Sequence, residues 1–287
     1  MRPAHLFLHF RPHWQVMLMP LFLWGFMLAG GEVGTRFWTV FVIFHILFYG
    51  GATALNSYYD RDEGPIGGLW DPPPVTRDLL VVAVAAQLIG LALVLFISLP
   101  LFGLSLIMGG VGNAYSHPAV RLKSRPWSSL LAVSVFQGMG GTAAGWLCGQ
   151  GDWTTLFSLK ALLGSLAAAM ILTGYYPLTQ IYQREDDRRH GDVSFAVHWG
   201  ERCFPLAIAC MAGGAVSMGL LIWRYFGPWQ ALVVAGALVG LAGIIYLWWR
   251  RFDASRIREN YVRMLQVGYL MAAGFSSYIG WQLAQGF

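Results

Sequence analysis

The chain has 287 residues, 56% of them hydrophobic and only 11% charged, where a soluble domain carries roughly 25% charged residues. That balance excludes an ordinary water-soluble enzyme and points to an integral membrane protein. The net charge of +5 reflects where Lys and Arg border a membrane and not affinity for nucleic acid, and Cys148, Cys203 and Cys210 lack metal-like spacing and are too few for a disulfide framework.

A bilayer core needs about 20 consecutive apolar residues per helix, and the chain supplies such runs one after another. In order they are Trp14 to Gly30, Phe37 to Asn56, Leu79 to Leu99, Leu101 to Tyr115, Leu130 to Gly149, Leu156 to Tyr182, Phe204 to Tyr225, Ala231 to Trp249 and Val262 to Leu283. This predicts a single all-α membrane domain over 1–287, a bundle of about nine transmembrane helices. The fourth run is short and follows Leu99-Pro100 almost without a loop, which leaves an eight-helix count open. The first run is too long, and its flanks too unlike a cleavage site, for a removable signal peptide. Lys and Arg favour the cytoplasmic side. With nine spans, all of the 19 basic residues except Arg36, Lys160 and Arg224 fall on the side of the N-terminus, as do all of the 14 acidic residues except Glu32 and Asp152. An N-in, C-out bundle follows, with its chemistry-capable charge on the cytoplasmic face.

Three polar loops on that face, 56–74, 113–127 and 175–202, carry the information. The first, NSYYDRDEGPIGGLWDPPP, places Asn56, Asp60 and Gly64 at four-residue intervals, with Asp62 and Glu63 between; the last repeats the pattern with Gln183, Asp187 and Gly191, and with Glu185 and Asp186 between. If each span's helix continues through its motif, amide and acid project from one face. Acidic groups at that density repel, so a cation must offset them. A hard divalent ion held by carboxylate oxygens suits the site, Mg²⁺ above all when a substrate adds phosphate oxygens. Taken singly, either cluster reads first as self-neutralising surface charge, Glu185-Asp186-Asp187 against Arg188-Arg189 for example. The matched pair on one side favours a site. Between them the loop GNAYSHPAVRLKSRPW sets Tyr115, Arg121, Lys123 and Arg125 close together. Cations beside two acidic clusters are what binding a diphosphate through bridging metal requires, and its organic tail would lie among the apolar spans.

These stretches, NSYYDRDEG, YSHPAVRLKSRPW and EDDRRHGDVSFAVHWG, resemble in order and separation the signatures of the UbiA superfamily of intramembrane prenyltransferases. The resemblance covers nearly the whole chain. It implies nine helices around a central cavity, two aspartate-rich motifs that bind a polyprenyl diphosphate through Mg²⁺, and transfer of the isoprenoid group to a hydrophobic acceptor, aromatic or lipid. Carried over, Asn56 and Asp60 match the first motif, Asp187 the second, and Tyr115, Lys123 and Arg125 the basic loop. The expected catalytic residues are Asp60, Asp187 and Lys123. The metal set is Asn56, Asp60, Glu63, Gln183, Asp186 and Asp187, and the substrate contacts add Tyr59, Tyr115, Tyr176, Arg121, Lys123 and Arg125. Two positions depart from the family pattern. Gly64 stands where the first motif often has another Asp, leaving Asp62 or Glu63 to substitute; Gln183 stands where the second motif usually opens with Asp, so either Asp186 or Glu185 takes over or one metal is bound more weakly.

Aromatic faces would shield an allylic cation, and Tyr58, Tyr59, Tyr175, Tyr176 and Trp146 are candidates, each equally readable as packing or interface belt. His45, Asn113 and Gln137 are polar residues within spans, readable as functional or as bonded to a neighbouring helix. Pro177 predicts a kink that redirects the second motif toward the bundle centre. Small-residue runs such as GMGGTAAG read as close helix packing. The nearest rival activity is a membrane terpene cyclase on the same fold. A transporter predicts polar groups near mid-membrane, whereas here the acids collect at one surface, and a retired scaffold is conceivable from Gln183.

Overall fold

The structure is a computed structural model that describes residues 2–61 and 63–285. Among these, helices account for 82% and there is no strand. A surface helix α1 (Pro3–Phe10) precedes α2 (Pro12–Leu28), α3 (Thr35–Asp60), α4 (Arg77–Ile97), α5 (Leu99–Ser116), α6 (Pro126–Gln150) and α7 (Leu159–Leu178). Two short helices, α8 (Arg184–Arg189) and α9 (Phe195–Trp199), lead into α10 (Cys203–Tyr225), α11 (Pro228–Arg250) and α12 (Ile257–Gln285). Among the described residues, nine long helical segments correspond to the nine apolar runs of the sequence. Six of them, α3, α4, α6, α7, α10 with α9, and α11, are long and apolar enough to cross a membrane. The short fourth run is a helix of its own: Ser98 is extended (φ −162°, ψ 116°), breaks α4 from α5, and its hydroxyl accepts the Leu101 N–H, while Pro100 sits in the first turn, where no helical N–H is needed.

The bundle closes through small residues. A Cβ on Gly25 of α2 would lie 1.8 Å from the Thr142 carbonyl oxygen, and one on Gly145 of α6 would lie 1.9 Å from that of Phe22, so the two backbones touch. Both α3 and α6 contain a π-helical stretch, Ile43–Phe48 and Ala132–Met139. Such turns recur at functional sites, and here both stretches border the central cavity through Phe48 and through Ala132, Val133, Phe136 and Gln137.

The connection from α3 to α4 folds back over one end of the bundle. Ile66 and Leu69 exchange backbone hydrogen bonds of 2.8 and 2.9 Å. Gly68 between them has φ +84°, and a Cβ there would strike the His13 ring, so glycine is required by both conformation and space. Trp70 packs edge-on against Tyr261 with ring centroids 5.3 Å apart, and His9 Nε2 donates to the Pro73 carbonyl at 3.0 Å. Burial, followed by the nearby Arg11 charge, holds the His9 imidazole below its ordinary value of 6.5. A depressed folded-state value means that the neutral ring's contribution is complete above 6.5 and falls away as pH drops below it. Protease nicking of the 61–76 connection is therefore expected to rise as pH is lowered below 6.5. A His9→Phe variant, uncharged at every pH, should weaken that dependence.

Candidate active site

Asn56 and Asp60 stand one turn apart at the end of α3 and leave the same face of the helix. The Asn56 amide nitrogen donates to Asp60 Oδ2 at 2.8 Å and to Ser116 Oγ of α5 at 2.9 Å. Arg61 then takes a left-handed conformation (φ 51°) and ends the helix, leaving Asp60 at the mouth of the bundle with its side chain only 5% exposed. A carboxylate that deep requires countercharge. The Lys123 ammonium lies against Asp60 Oδ1, with an Arg121 nitrogen 3.6 Å away. Arg121 is itself left-handed (φ 44°) and starts the short turn Leu122–Ser124 that turns Lys123 inward. Its guanidinium grips Asp192 with two bonds of 2.8 Å, the fork-to-fork geometry that fixes both partners.

The second motif is built differently from the first. Pro177 does not kink a continuing helix: α7 ends one residue later, a turn follows, and Gln183 becomes the N-cap of α8. The four-residue spacing survives on the new helix, where the Asp187 N–H donates to the Gln183 carbonyl at 2.9 Å. Gly191 (φ +75°) turns the chain so that the Asp192 N–H reaches the Asp187 carbonyl at 2.8 Å, and Ser194 Oγ donates to Asp187 Oδ2 at 2.5 Å. The Gln183 amide nitrogen crosses to the Pro65 carbonyl at 2.7 Å, tying the two motif loops together. Glu185 and Asp186 turn outward: Glu185 is 61% exposed and pairs with Arg188 and Arg189, and Asp186 pairs with Arg189. The surface-charge reading describes these two acids, while Asp187 faces inward.

Below the mouth lies a cavity of about 360 Å³. Of the sequence-derived candidates, Asn56, Asp60, Tyr115, Lys123, Tyr176, Gln183 and Asp187 all line it. The hydroxyls of Tyr115 and Tyr176 lie 2.7 Å apart, and Gln180 donates to Tyr176 at 2.7 Å. Tyr175 also lines the cavity, its hydroxyl engaged with the Met264 carbonyl at 3.1 Å, and so does Gln137. The other candidates lie elsewhere. Tyr59 packs against His117, Tyr58 against Arg61, and Trp146 donates to Thr155. Glu63 and Arg125 are exposed, and Asp62 lies outside the described residues. Arg121 touches Asp60 without lining the cavity, Asn113 keeps its carbonyl oxygen buried among the helices, and His45 donates to the Phe41 carbonyl of its own helix. Among the lining residues that escaped the sequence reading are Arg11, Tyr49, Gln87, Ser116, Gln180, Asp192 and Ser194. Asp192 and Ser194 lie within three residues of Gly191 and were open to inference from the motif. Arg11, which donates to Ser57 at 2.7 Å, looks in sequence like any other basic residue at a membrane border.

The donors at the mouth are hard oxygens, the chemistry Mg²⁺ selects. Asp60 Oδ1 is buried, accepts no hydrogen bond of good geometry and is balanced by cations, so a metal ion could take its place in that balance. Among the described residues no three His, Cys, Asp or Glu side chains converge as a complete metal site, which fits ions that complete their coordination on substrate phosphates and water. The departure at Gly64 has an electrostatic reason. A Cβ there would lie 2.9 Å from Asp186 Oδ2, so an aspartate would press a second carboxylate onto Asp186.

This architecture has solved counterparts. A UbiA homolog from Archaeoglobus fulgidus bound to GPP and Mg²⁺ superposes with a TM-score of 0.71 at 17% identity, covering 96% of this chain and 99% of that one. The same homolog bound to DMAPP and Mg²⁺ gives 0.70 at 17% identity, over 95% and 98%. The apo structure of a UbiA homolog from Aeropyrum pernix K1 gives 0.67 at 19%, over 92% and 97%. Among curated protein sequences none matches significantly. The sequence profile of the UbiA prenyltransferase family matches residues 18–268, and with the helical bundle and its motif-lined cavity this shows that the chain belongs to the UbiA prenyltransferase family.

Proposed function

We propose that the protein is a Mg²⁺-dependent intramembrane prenyltransferase that moves an isoprenoid group from a polyprenyl diphosphate to a hydrophobic acceptor, aromatic or lipid. The observation that carries this reading is the juxtaposition of Asp60, Lys123 and Asp187 at the mouth of one apolar cavity. Two acidic motifs and a half-buried ammonium suit a metal-bound diphosphate, and the space below suits a hydrocarbon tail. The solved relatives bound to GPP or DMAPP with Mg²⁺ support the same donor class here. The distribution of basic residues supports a mouth on the cytoplasmic side.

Asp60 and Asp187 would hold the ion, with the amide oxygens of Asn56 and Gln183 as further ligands. Bound there, Mg²⁺ would supply Lewis-acid withdrawal of charge from the leaving diphosphate. Lys123, backed by Arg121, neutralises the negative charge that grows on the diphosphate as the allylic C–O bond breaks and its electron pair leaves with oxygen. The linked Tyr115 and Tyr176 rings stand between that mouth and the apolar space, where they screen the developing cation from water. The acceptor's carbon or oxygen then bonds to the allylic carbon and sheds a proton.

The test is to incubate detergent-solubilised protein with C10, C15 and C20 allylic diphosphates and Mg²⁺, with and without a lipid extract. A prenylated compound formed only with extract is the expected result. Cyclised hydrocarbon or alcohol without extract would replace transfer by cyclisation, and no diphosphate release in any arm would overturn both.

A further inference from the structure

Below the diphosphate mouth the cavity has two unlike sides. One is walled by α2, α7, α10 and α12, with Met17, Trp24, Ile171, Met218 and Phe275 as lining. The deep polar groups on this side are bonded: the Trp24 indole donates to the Gly164 carbonyl at 3.1 Å, and Tyr175 bonds the Met264 carbonyl. The other is walled by α3, α4, α5 and α6, with Phe48, Tyr49, Gln87, Met108 and Gln137. The buried apolar residues divide the same way, Met17, Trp24, Ile171 and Met218 in one cluster, Phe48, Tyr49 and Met108 in another.

On this second side two buried polar atoms of cavity-lining side chains have no hydrogen-bond partner among the described residues. Gln87 is 6% exposed and Tyr49 9%, and neither the Gln87 Nε2 nor the Tyr49 hydroxyl is bonded. Leaving such groups dry in a membrane interior is unfavourable, yet the fold makes room for both. A Cβ on Gly51 would lie 2.9 Å from Gln87 Cγ, and one on Gly141 would lie 3.1 Å from the Tyr49 hydroxyl. Tyr49 shares the cavity-facing side of α3 with Thr53, Asn56 and Asp60, about 16 Å below Asp60 at 1.5 Å rise per residue. Gly51, beside Gln87, is about 14 Å below Asp60 by the same measure.

An isoprenoid tail is hydrocarbon, with nothing to satisfy an amide N–H, so it belongs on the first side. We propose, resting on the prenyltransferase reading above, that the second side is the acceptor subsite and that Gln87 and Tyr49 are each placed to bond an acceptor oxygen there, at the far end of the acceptor from the carbon or oxygen that is prenylated. The Gln87 amide donates to that oxygen, and the Tyr49 hydroxyl either donates or accepts. The acceptor class is then an oxygenated ring or chain compound with a carbonyl or hydroxyl buried well inside the membrane. Fully saturated hydrocarbon ends are excluded from this side. Specificity of this kind is strong because a missing oxygen leaves the protein's own groups unpaired.

The matched probes are 1-tetralone and tetralin, which share a ring skeleton and differ by one carbonyl oxygen. Binding to the full-length solubilised protein is measured with Mg²⁺ present, and the ratio of the two Kd values is compared between wild type and variants, so that partitioning into detergent cancels. The expected result is a preference of about tenfold or more for the ketone in wild type, falling to within about threefold in Gln87→Leu and reduced more modestly in Tyr49→Phe. Tyr49→Phe removes one oxygen, so it carries the test alone if Gln87→Leu does not elute as a monodisperse species. A wild type without ketone preference, or a preference unchanged in the folded variants, would overturn the assignment. Release of diphosphate from geranyl diphosphate by wild type is read in parallel. Its absence strikes at the prenyltransferase reading, whereas the ketone preference stands or falls on the binding ratio alone.

Discussion

Replacing Asp60 by alanine is expected to lower Mg²⁺-dependent diphosphate release by at least about 100-fold, the scale of losing one preorganised electrostatic contact in a dry site. Asp60 is the point where three supports meet: the Asn56 amide on Oδ2, and Lys123 and Arg121 on the side of Oδ1. Removing the carboxylate leaves Lys123 as excess positive charge at the mouth, while Arg121 stays paired with Asp192, and that charge still attracts a diphosphate. The loss should therefore fall more on kcat than on the donor KM. Asp60→Asn separates charge from shape, because the amide keeps the volume and one acceptor oxygen. An equal loss in both variants identifies the negative charge as the essential property. Asp187→Ala is expected to match it, since Asp187 is the inward acid of the second motif and Ser194 already holds its other oxygen in place. Glu185→Ala is the contrast: that side chain is 61% exposed and paired with arginines on its own short helix, so activity should stay within about twofold, as for an exposed ion pair. Full activity in both Asp60→Ala and Asp187→Ala would remove the site from these motifs altogether.

The bundle was readable because hydropathy reports burial in lipid directly. The short fourth span stayed open in the sequence, and the structure separates it from the third by the extended Ser98 and its cap on Leu101. The site was readable in part, and the boundary between what could and could not be read has a physical cause. Asn56 and Asp60 lie on a helix that continues through them, so periodicity locates both side chains on one face. The second motif was expected to copy this, but Pro177 ends its helix, and the chain reaches the same end of the cavity through a turn and a new short helix. What decides which acid faces inward there is the left-handed turn at Gly191 and the backbone bond from Asp192 to Asp187. Spacing singled out Asp187, but charge density left Asp186 and Glu185 as substitutes for the acid missing at Gln183. Arg11 shows the opposite limit. Its inward turn depends on a left-handed backbone (φ 48°) between α1 and α2 and on Ser57, 46 positions away, and nothing local announces either.

Gly145→Leu is expected to abolish recovery of monodisperse protein, and Gly145→Ala to lower thermal stability by an amount equivalent to about 1–3 kcal/mol or more, the range for overpacking a tight contact. The reason is that the atom in the way is backbone. A Cβ at Gly145 would lie 1.9 Å from the Phe22 carbonyl oxygen, and Gly25 meets the Thr142 carbonyl in the same manner from the opposite helix, so no side-chain rotation relieves the clash and α2 must move away from α6. Gly240 of α11 provides the control, because a Cβ there meets nothing within 4 Å. Gly240→Ala should be neutral or stabilising by up to about 1 kcal/mol, since alanine is the better helix former. The same chemical change thus has opposite signs at two positions, and a glycine-poor composition effect cannot produce that. The cavity makes the packing matter for chemistry as well. Leu18, Leu21 and Trp24 of α2 and Val133, Phe136 and Gln137 of α6 line it, so spreading the two helices widens the space between the donor tail and the acceptor side. Folded Gly145→Ala should therefore lose turnover in excess of its loss of stability at the assay temperature, and a variant that is destabilised yet fully active when folded would show that the α2–α6 contact supports the bundle without setting the reacting geometry.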